Sequence, residues 1–148
     1  MKLPLVYVVI LNWNGWHDTM SCVESLQGLS YSNFRILIVD NASSDGSEEA
    51  LRTRLKDVEL VQSGANLGFA GGNNVGIRRA LDNGADYVWL LNNDTEVDTE
   101  ALSMLVNAME CDESVGFAGS KIYYYDEPKR IWSAGGFWEK GKLKIRQR

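Results

Sequence analysis

Leu5-Val6-Tyr7-Val8-Val9-Ile10-Leu11, running directly into Asn12-Trp13-Asn14-Gly15, is the stretch on which the fold turns. An unbroken apolar run of this length, with no polar alternation, suits a strand buried on both faces, and such strands belong to parallel sheets covered by helices. Phe34–Val39, Val58–Val61 and Tyr87–Leu91 repeat the pattern in shorter form, and Val115–Tyr125 is a longer, mixed extended stretch. Helical spacing falls between them. Met20, Val23 and Leu26 recur after the first run. Val75, Ile77, Ala80 and Leu81 precede the Asn83-Gly84 stop signal, and Leu102, Leu105, Val106 and Met109 follow the fourth run. This alternation predicts an α/β fold with a mostly parallel central sheet and helices on both faces, one domain across residues 1–148.

Composition narrows the class. The chain has 148 residues, 45% hydrophobic and 24% charged, which is enough to bury a core and too apolar for a disordered chain. Cys22 and Cys111 cannot build a disulfide framework, and with His17 alone they cannot build a structural zinc site, so a reduced, cytoplasmic setting is expected. The apolar run from Leu3 to Leu11 is too short to span a bilayer, and with only Lys2 before it and no small-residue cleavage site after it, it fails as a signal peptide. Charge is uneven. Residues 1–138 hold 10 Lys and Arg against 19 Asp and Glu, whereas residues 139–148 hold five basic residues and one acid. So acidic a body is a poor non-specific partner for nucleic acid, and to bind a phosphate it needs a metal, helix N-termini or a few placed bases. The tail alternates Lys140, Lys142, Lys144, Arg146 and Arg148 with other residues. That is strand periodicity with one basic face, either a solvated edge or a contact for a phosphate or a membrane surface.

Ligands of open parallel sheets bind at the carboxyl ends of the strands, so the residue that follows each apolar run carries information. The four ends read Asn12-Trp13-Asn14-Gly15, then Asp40-Asn41-Ala42-Ser43-Ser44-Asp45-Gly46-Ser47, then Gly64 through Asn74, and Asn92-Asn93-Asp94-Thr95. Asp45 and Glu48 fit the start of a helix as a capping box. That explanation does not reach Asp40, which abuts its strand and suits hydrogen bonds from a ribose or a base edge. Trp13 suits core packing and a nucleobase face equally. The stretch with Gly64, Gly68, Gly71 and Gly72 has neither the dinucleotide nor the P-loop spacing. Two readings stay open for it: a loop that brings backbone N–H groups, with Asn73 and Asn74, to a diphosphate, or glycines chosen for close packing. Asp94, after a run that should be a central strand, is placed to hold Mg²⁺ or Mn²⁺ together with phosphate oxygens and water. Asp98 reads as a helix-start carboxylate.

The ordered set VVILNWNG (8–15), IVDNASSDGS (38–47), NLGFAGGNNVGI (66–77), LLNNDTEV (90–97) and KIYYY (121–125) resembles family 2 glycosyltransferases, in the rhamnosyltransferase-like group. The resemblance covers essentially the whole chain. It implies a Rossmann-like GT-A nucleotide-diphospho-sugar binding fold and an inverting, metal-assisted transfer of a sugar from a UDP-, dTDP- or GDP-linked donor to a saccharide or lipid-linked acceptor. By position it implies that Trp13 stacks the base and that Asp40 binds base or ribose. Asn92 or Asn93 then lies near the ribose, and Asp94 is the ligand of a divalent Mg or Mn ion. Asn92 stands where the family's D-x-D motif has its first Asp, which leaves one protein carboxylate for the metal. Asn73, in the nucleotide-binding set, stands where many members carry Arg. An inverting displacement needs a base to deprotonate the acceptor hydroxyl. None of the acids here occupies the family's position for it, so the chain is expected to be the donor-binding half of a longer protein. With a lipid-linked acceptor the work would be done at the inner face of the plasma membrane. A non-catalytic nucleotide-sugar binding module is the alternative of a different class. A sugar nucleotidyltransferase would want basic residues near Asn12–Gly15, and a dehydrogenase would want the dinucleotide fingerprint.

Overall fold

The computed structural model describes residues 3–139 and 142–145. The chain divides into two compact units, the first ending at Glu100 and the second starting at Ala101. In the first unit the elements alternate as the sequence predicts: β1 (Val6–Asn12), α1 (Trp16–Leu26), β2 (Phe34–Asp40), α2 (Ser47–Arg54), β3 (Glu59–Gln62), α3 (Gly68–Asp82) and β4 (Tyr87–Asn92). The four strands form one sheet in the order β3-β2-β1-β4, every pair parallel.

The core follows from the unbroken apolar runs. Val6 through Ile10 are all buried, as are Leu37, Ile38 and Val39, so β1 and the end of β2 are covered on both faces. Tyr7, Val9, Leu37 and Val39 share one face and pack with Ala80 of α3. On the opposite face Asn12 accepts a hydrogen bond from Thr19 of α1, so the helices lie on both sides of the sheet.

The glycine-rich stretch is a helix rather than a loop. α3 starts at Gly68, so Gly71, Gly72 and Gly76 all lie within it. A methyl group added at Gly72 would meet the Leu11 side chain, and one at Gly76 would meet Val9 and, at 3.1 Å, Val39. These glycines let the helix lie directly on β1 and β2, which settles the open reading in favour of close packing for Gly72; Gly76 lies within the helix that the Val75–Leu81 spacing predicts. Their low helix propensity is overridden by that contact. The helix ends as the Asn83-Gly84 signal predicts. Gly84 adopts a left-handed φ of 80° and its N–H reaches the Leu81 carbonyl, while the Ala85 N–H reaches that of Ala80, which is the Schellman arrangement.

The second unit contains α4 (Ala101–Glu110), with Leu102 and Val106 buried as its spacing predicts. The expected extended stretch Val115–Tyr125 is mostly irregular. Within it only Ile122–Tyr123 is strand (β5), paired antiparallel with β6 (Ile131–Ser133) in a separate two-stranded sheet. Its mixed composition, with Gly116, Gly119, Ser120 and Lys121, lacks the largely apolar run that builds the parallel sheet. β7 (Gly136–Glu139) and β8 (Lys142–Ile145) form an antiparallel pair, so the strand periodicity of the basic tail is realised there. Lys140, Arg146 and Arg148 lie outside the described residues. Among the described residues no helix is long and apolar enough to cross a membrane.

Candidate nucleotide site at the strand ends

The chain leaves β1 for β2 and β3 on one side and returns to β4 on the other. Strand order therefore reverses between β1 and β4, and the carboxyl ends at such a switch point are where open α/β sheets bind ligands. Two of the sequence motifs end there. Asn12-Trp13-Asn14-Gly15 follows β1 and Asn92-Asn93-Asp94 follows β4.

Register sets the next layer. Asn12, Asp40 and Gln62 are direct partners across β1, β2 and β3, so their side chains emerge on one face at one level. Asp40 is completely buried and its carboxylate accepts four hydrogen bonds. Asn12 Nδ2 and Ser43 Oγ donate to Oδ1 at 2.7 and 2.5 Å; the Ser43 N–H and Gln62 Nε2 donate to Oδ2 at 3.1 and 2.7 Å. A carboxylate has about four lone-pair sites, so both oxygens are filled by the protein itself. Asp40 abuts its strand as expected, but a ribose or base would have to displace one of these donors to reach it. The bonds to Ser43 also hold the turn in which Ala42 takes a left-handed φ of 59°, a conformation that persists only where neighbours impose it.

From Asp40 the polar contacts continue across the sheet end. Asn12, itself buried, gives its amide hydrogens to Asp40 and to Ser43 Oγ, and its carbonyl accepts the Thr19 hydroxyl at 2.8 Å. Thr19, on α1 and fully buried, accepts in turn from Asn93 Nδ2 at 3.2 Å. Ser43 and Asn14 tie the first two loops together: the Asn14 N–H donates to Ser43 Oγ, and Asn14 Oδ1 accepts the Ser44 N–H. Asn41, also buried, holds the start of α3 by accepting the Leu67 N–H and donating to Asn66 Oδ1. Sequence reasoning gave no role to Asn12, Thr19, Ser43 or Gln62. A usable signal exists for Asn12 and Asp40, since each is the first polar residue after an apolar run on adjacent strands.

Other expected site residues are distributed differently. Trp13 is 56% exposed and Asn92 and Asp94 are exposed, whereas Asn93 is half-buried. Asn73 is buried on α3 and its amide donates back to the Phe69 carbonyl within the helix, so it is not held out toward solvent. Asp45 accepts the N–H and hydroxyl of Ser47 but sits one residue before the N-cap, Gly46; it makes a two-residue turn in place of the expected capping box. Those bonds hold the Asp45 carboxyl below its usual range. Beneath the β4 end, burial pushes the Cys22 thiol up to about 11, with the negative charge of Asp94 adding to the effect. Cys22 is buried and Cys111 exposed, and neither is in a disulfide.

The four loops contain no Lys, Arg or His, so a bound diphosphate would find no protein cation on them. The Asp94 carboxylate is exposed and has no hydrogen bond or ion pair among the described residues, which also contain no cluster of three or more His, Cys, Asp or Glu that could hold a metal. A hard divalent ion here would use one carboxylate and draw its remaining ligands from phosphate oxygens and water, a set that suits Mg²⁺ or Mn²⁺.

The motifs and the fold converge with three comparisons. The chain resembles a low-salt glycan biosynthesis hexosyltransferase of Haloferax volcanii, with 32% identity over 66% of this chain and 30% of that protein. It also resembles a dTDP-rhamnosyl transferase, RfbF, of Shigella flexneri, with 27% identity over 81% of this chain and 41% of that protein. Its fold matches the mannosyltransferase PcManGT of Pyrobaculum calidifontis, solved with GDP-Man and Mn²⁺, at a TM-score of 0.73 and 22% identity, over 84% of this chain and 37% of that one. The chain spans 30% to 44% of the length of the curated relatives it matches. With a family-level match running over residues 7–148, nearly end to end, the chain belongs to glycosyl transferase family 2.

Proposed function

We propose that this chain binds the nucleotide-diphosphate sugar for a glycosyltransferase that moves the sugar to a saccharide or lipid-linked acceptor. Transfer is inverting: the acceptor hydroxyl takes the place of the nucleoside diphosphate at the anomeric carbon. The observation that carries the reading is Asp94, exposed and without a partner among the described residues, at the β1/β4 switch point on loops without a cation. In this reading Asp94 holds a Mg²⁺ or Mn²⁺ ion, which when bound supplies positive charge against the diphosphate and its departure. Trp13, projecting beyond β1, offers an aromatic face to the base. Asn92 and Asn93 face the ribose. Asp40, filled by four donors, holds the rim that presents these groups, and Asn73 fixes the α3 end of the same rim.

Calorimetric titration of UDP, dTDP and GDP, with and without Mn²⁺, tests the reading on this chain and on Asp94→Ala. One nucleotide should bind in a metal-dependent manner and lose that binding in the variant. Absence of binding by all three, or binding that ignores both Mn²⁺ and the substitution, would sink it. Sugar transfer by a longer chain that includes this one separates a transferase from a non-catalytic nucleotide-sugar binding module.

A further inference from the structure

Thr19 lies on α1, outside every motif that marks the site, yet its hydroxyl is the junction between the two halves of the rim. It is fully buried, donates to Asn12 Oδ1 at 2.8 Å and accepts from Asn93 Nδ2 at 3.2 Å. The second amide hydrogen of Asn93 goes to the Gly15 carbonyl at 3.3 Å. Gly15 leaves room for this contact: a methyl group there would lie 3.1 Å from Asn93 Nδ2. Both donors of the Asn93 amide are thus committed to the protein.

What remains is its carbonyl oxygen. No residue among those described donates to Asn93 Oδ1. The one enclosed side-chain oxygen or nitrogen without a partner among the described residues is the Tyr7 hydroxyl, so Asn93 Oδ1 reaches solvent, next to Asp94. An Asn side chain ordinarily offers a ligand both donors and acceptors. Asn93, with its amide hydrogens turned inward, offers acceptance alone.

We propose that Thr19 is a positioning residue that fixes the Asn93 amide with its carbonyl outward, so that Asn93 selects a hydroxyl of the nucleotide ribose. The inference rests on the donor-binding reading and deepens it. An outward carbonyl accepts from a ribose hydroxyl and is repelled by phosphate oxygens, so this residue discriminates the sugar of the nucleotide and leaves the diphosphate to Asp94. The Thr19 proton has two acceptors within reach, Asn12 Oδ1 at 2.8 Å and the Gly15 carbonyl at 3.1 Å, and with either of them the Thr19 oxygen still accepts from Asn93. Asn12 Nδ2 is spent on Asp40 and Ser43, which leaves its carbonyl to accept from Thr19 and leaves the Thr19 lone pairs free to accept from Asn93.

The first measurement needs no ligand. In the unaltered chain the Asn93 side-chain amide protons should exchange slowly with solvent by NMR. Thr19→Val, which keeps the shape and removes the hydroxyl, should speed that exchange, and Thr19→Ser should restore it. The second measurement uses the nucleotide diphosphate that binds together with its 2′-deoxy and 3′-deoxy analogues, in Mn²⁺. Thr19→Val should weaken binding of the parent nucleotide about tenfold, the effect of one lost hydrogen bond. It should leave at least one deoxy analogue unchanged, and Thr19→Ser should recover the discrimination. Fast exchange of the Asn93 amide in the unaltered chain overturns the proposal even if Thr19→Val fails to fold. Undiminished discrimination in a folded Thr19→Val also overturns it. If Asn93 protection depends on Thr19 but no nucleotide binds, the donor-site reading falls and takes the ribose role with it, while the orientation of the amide stands.

Discussion

Asp40 and Asp94 flank β1 at the same end of the sheet, one closing β2 and the other just beyond β4, and they stand in opposite states. Asp40 is enclosed and accepts four hydrogen bonds, none from a cation; Asp94 is exposed and accepts none among the described residues. The difference lies in what each strand has for neighbours. β2 runs between β1 and β3, whose register partners Asn12 and Gln62 bring amide donors to both sides of Asp40. β4 has β1 on one side only in this sheet, and Asp94 lies past the last paired residue. An acidic residue at a strand end is therefore available to a ligand when the neighbouring strands leave its oxygens unfilled, and it becomes part of the scaffold when they fill them.

The largest effect expected from breaking this contrast is on the closed side. Asp40→Ala strands the buried Asn12 amide and removes the acceptor of the half-buried Gln62 amide and Ser43 N–H, each unmet buried group costing about 1–3 kcal/mol. Urea unfolding should show a loss of about 3 kcal/mol or more. A loss below about 1 kcal/mol would mean that the Asp40 network does not hold the rim. Next comes the wall behind it. Gly76→Ala forces a methyl group into Val9 and Val39, and such overpacking should cost about 1–3 kcal/mol. Gly64→Ala, at a φ of 79° with nothing within reach of the new methyl group, should cost about 1 kcal/mol from backbone strain alone. If Gly64→Ala proved the more damaging of the two, the close contact between α3 and β1 would be wrong.

Cys22 gives a pH-dependent view of the floor beneath the open end. Its folded pKa lies above the ordinary thiol value of 9.0, at about 11, because burial disfavours the thiolate. The stability it lends is therefore full below pH 9 and declines as pH rises toward about 11. In iodoacetamide labelling at pH 8, Cys111 should react readily and Cys22 only slowly, since the exposed thiol is accessible and the buried one stays protonated. Equal labelling rates would show that the β4 end opens.

The sequence made the sheet legible because its strands are largely apolar runs, broken only by Arg35 in β2 and Glu59 in β3, each followed by polar turn residues. It also located Asp40, Trp13, Asn92, Asn93 and Asp94 at strand ends. What it could not convey were facts of juxtaposition. Gly72 looks like a loop residue by propensity, and only its seating on Leu11 explains a helix through it. Asn12, Thr19, Ser43 and Gln62 carry no motif, and their role exists only once strand register and the path of α1 place them around Asp40 and Asn93. Val115–Tyr125 misled for the converse reason, since a stretch rich in aromatics has strand propensity but not the continuous burial that a central parallel strand needs.

Asp94→Ala is the smallest perturbation of the fold and the sharpest test of the comparison. An exposed carboxylate without a partner contributes little to folding, so unfolding free energy should change by no more than about 0.5 kcal/mol. Removing it also lifts the negative charge that helps hold the Cys22 thiol high, so the Cys22 pKa should drop slightly. Metal-dependent nucleotide binding, by contrast, should disappear. The two carboxylates then separate cleanly: Asp40→Ala loses stability first and binding as a consequence, whereas Asp94→Ala loses binding with stability intact. A destabilised Asp94→Ala would show that Asp94 is held by contacts of its own. In that case the open end of the rim would be scaffold as well, and the site would have to be sought elsewhere along the strand ends.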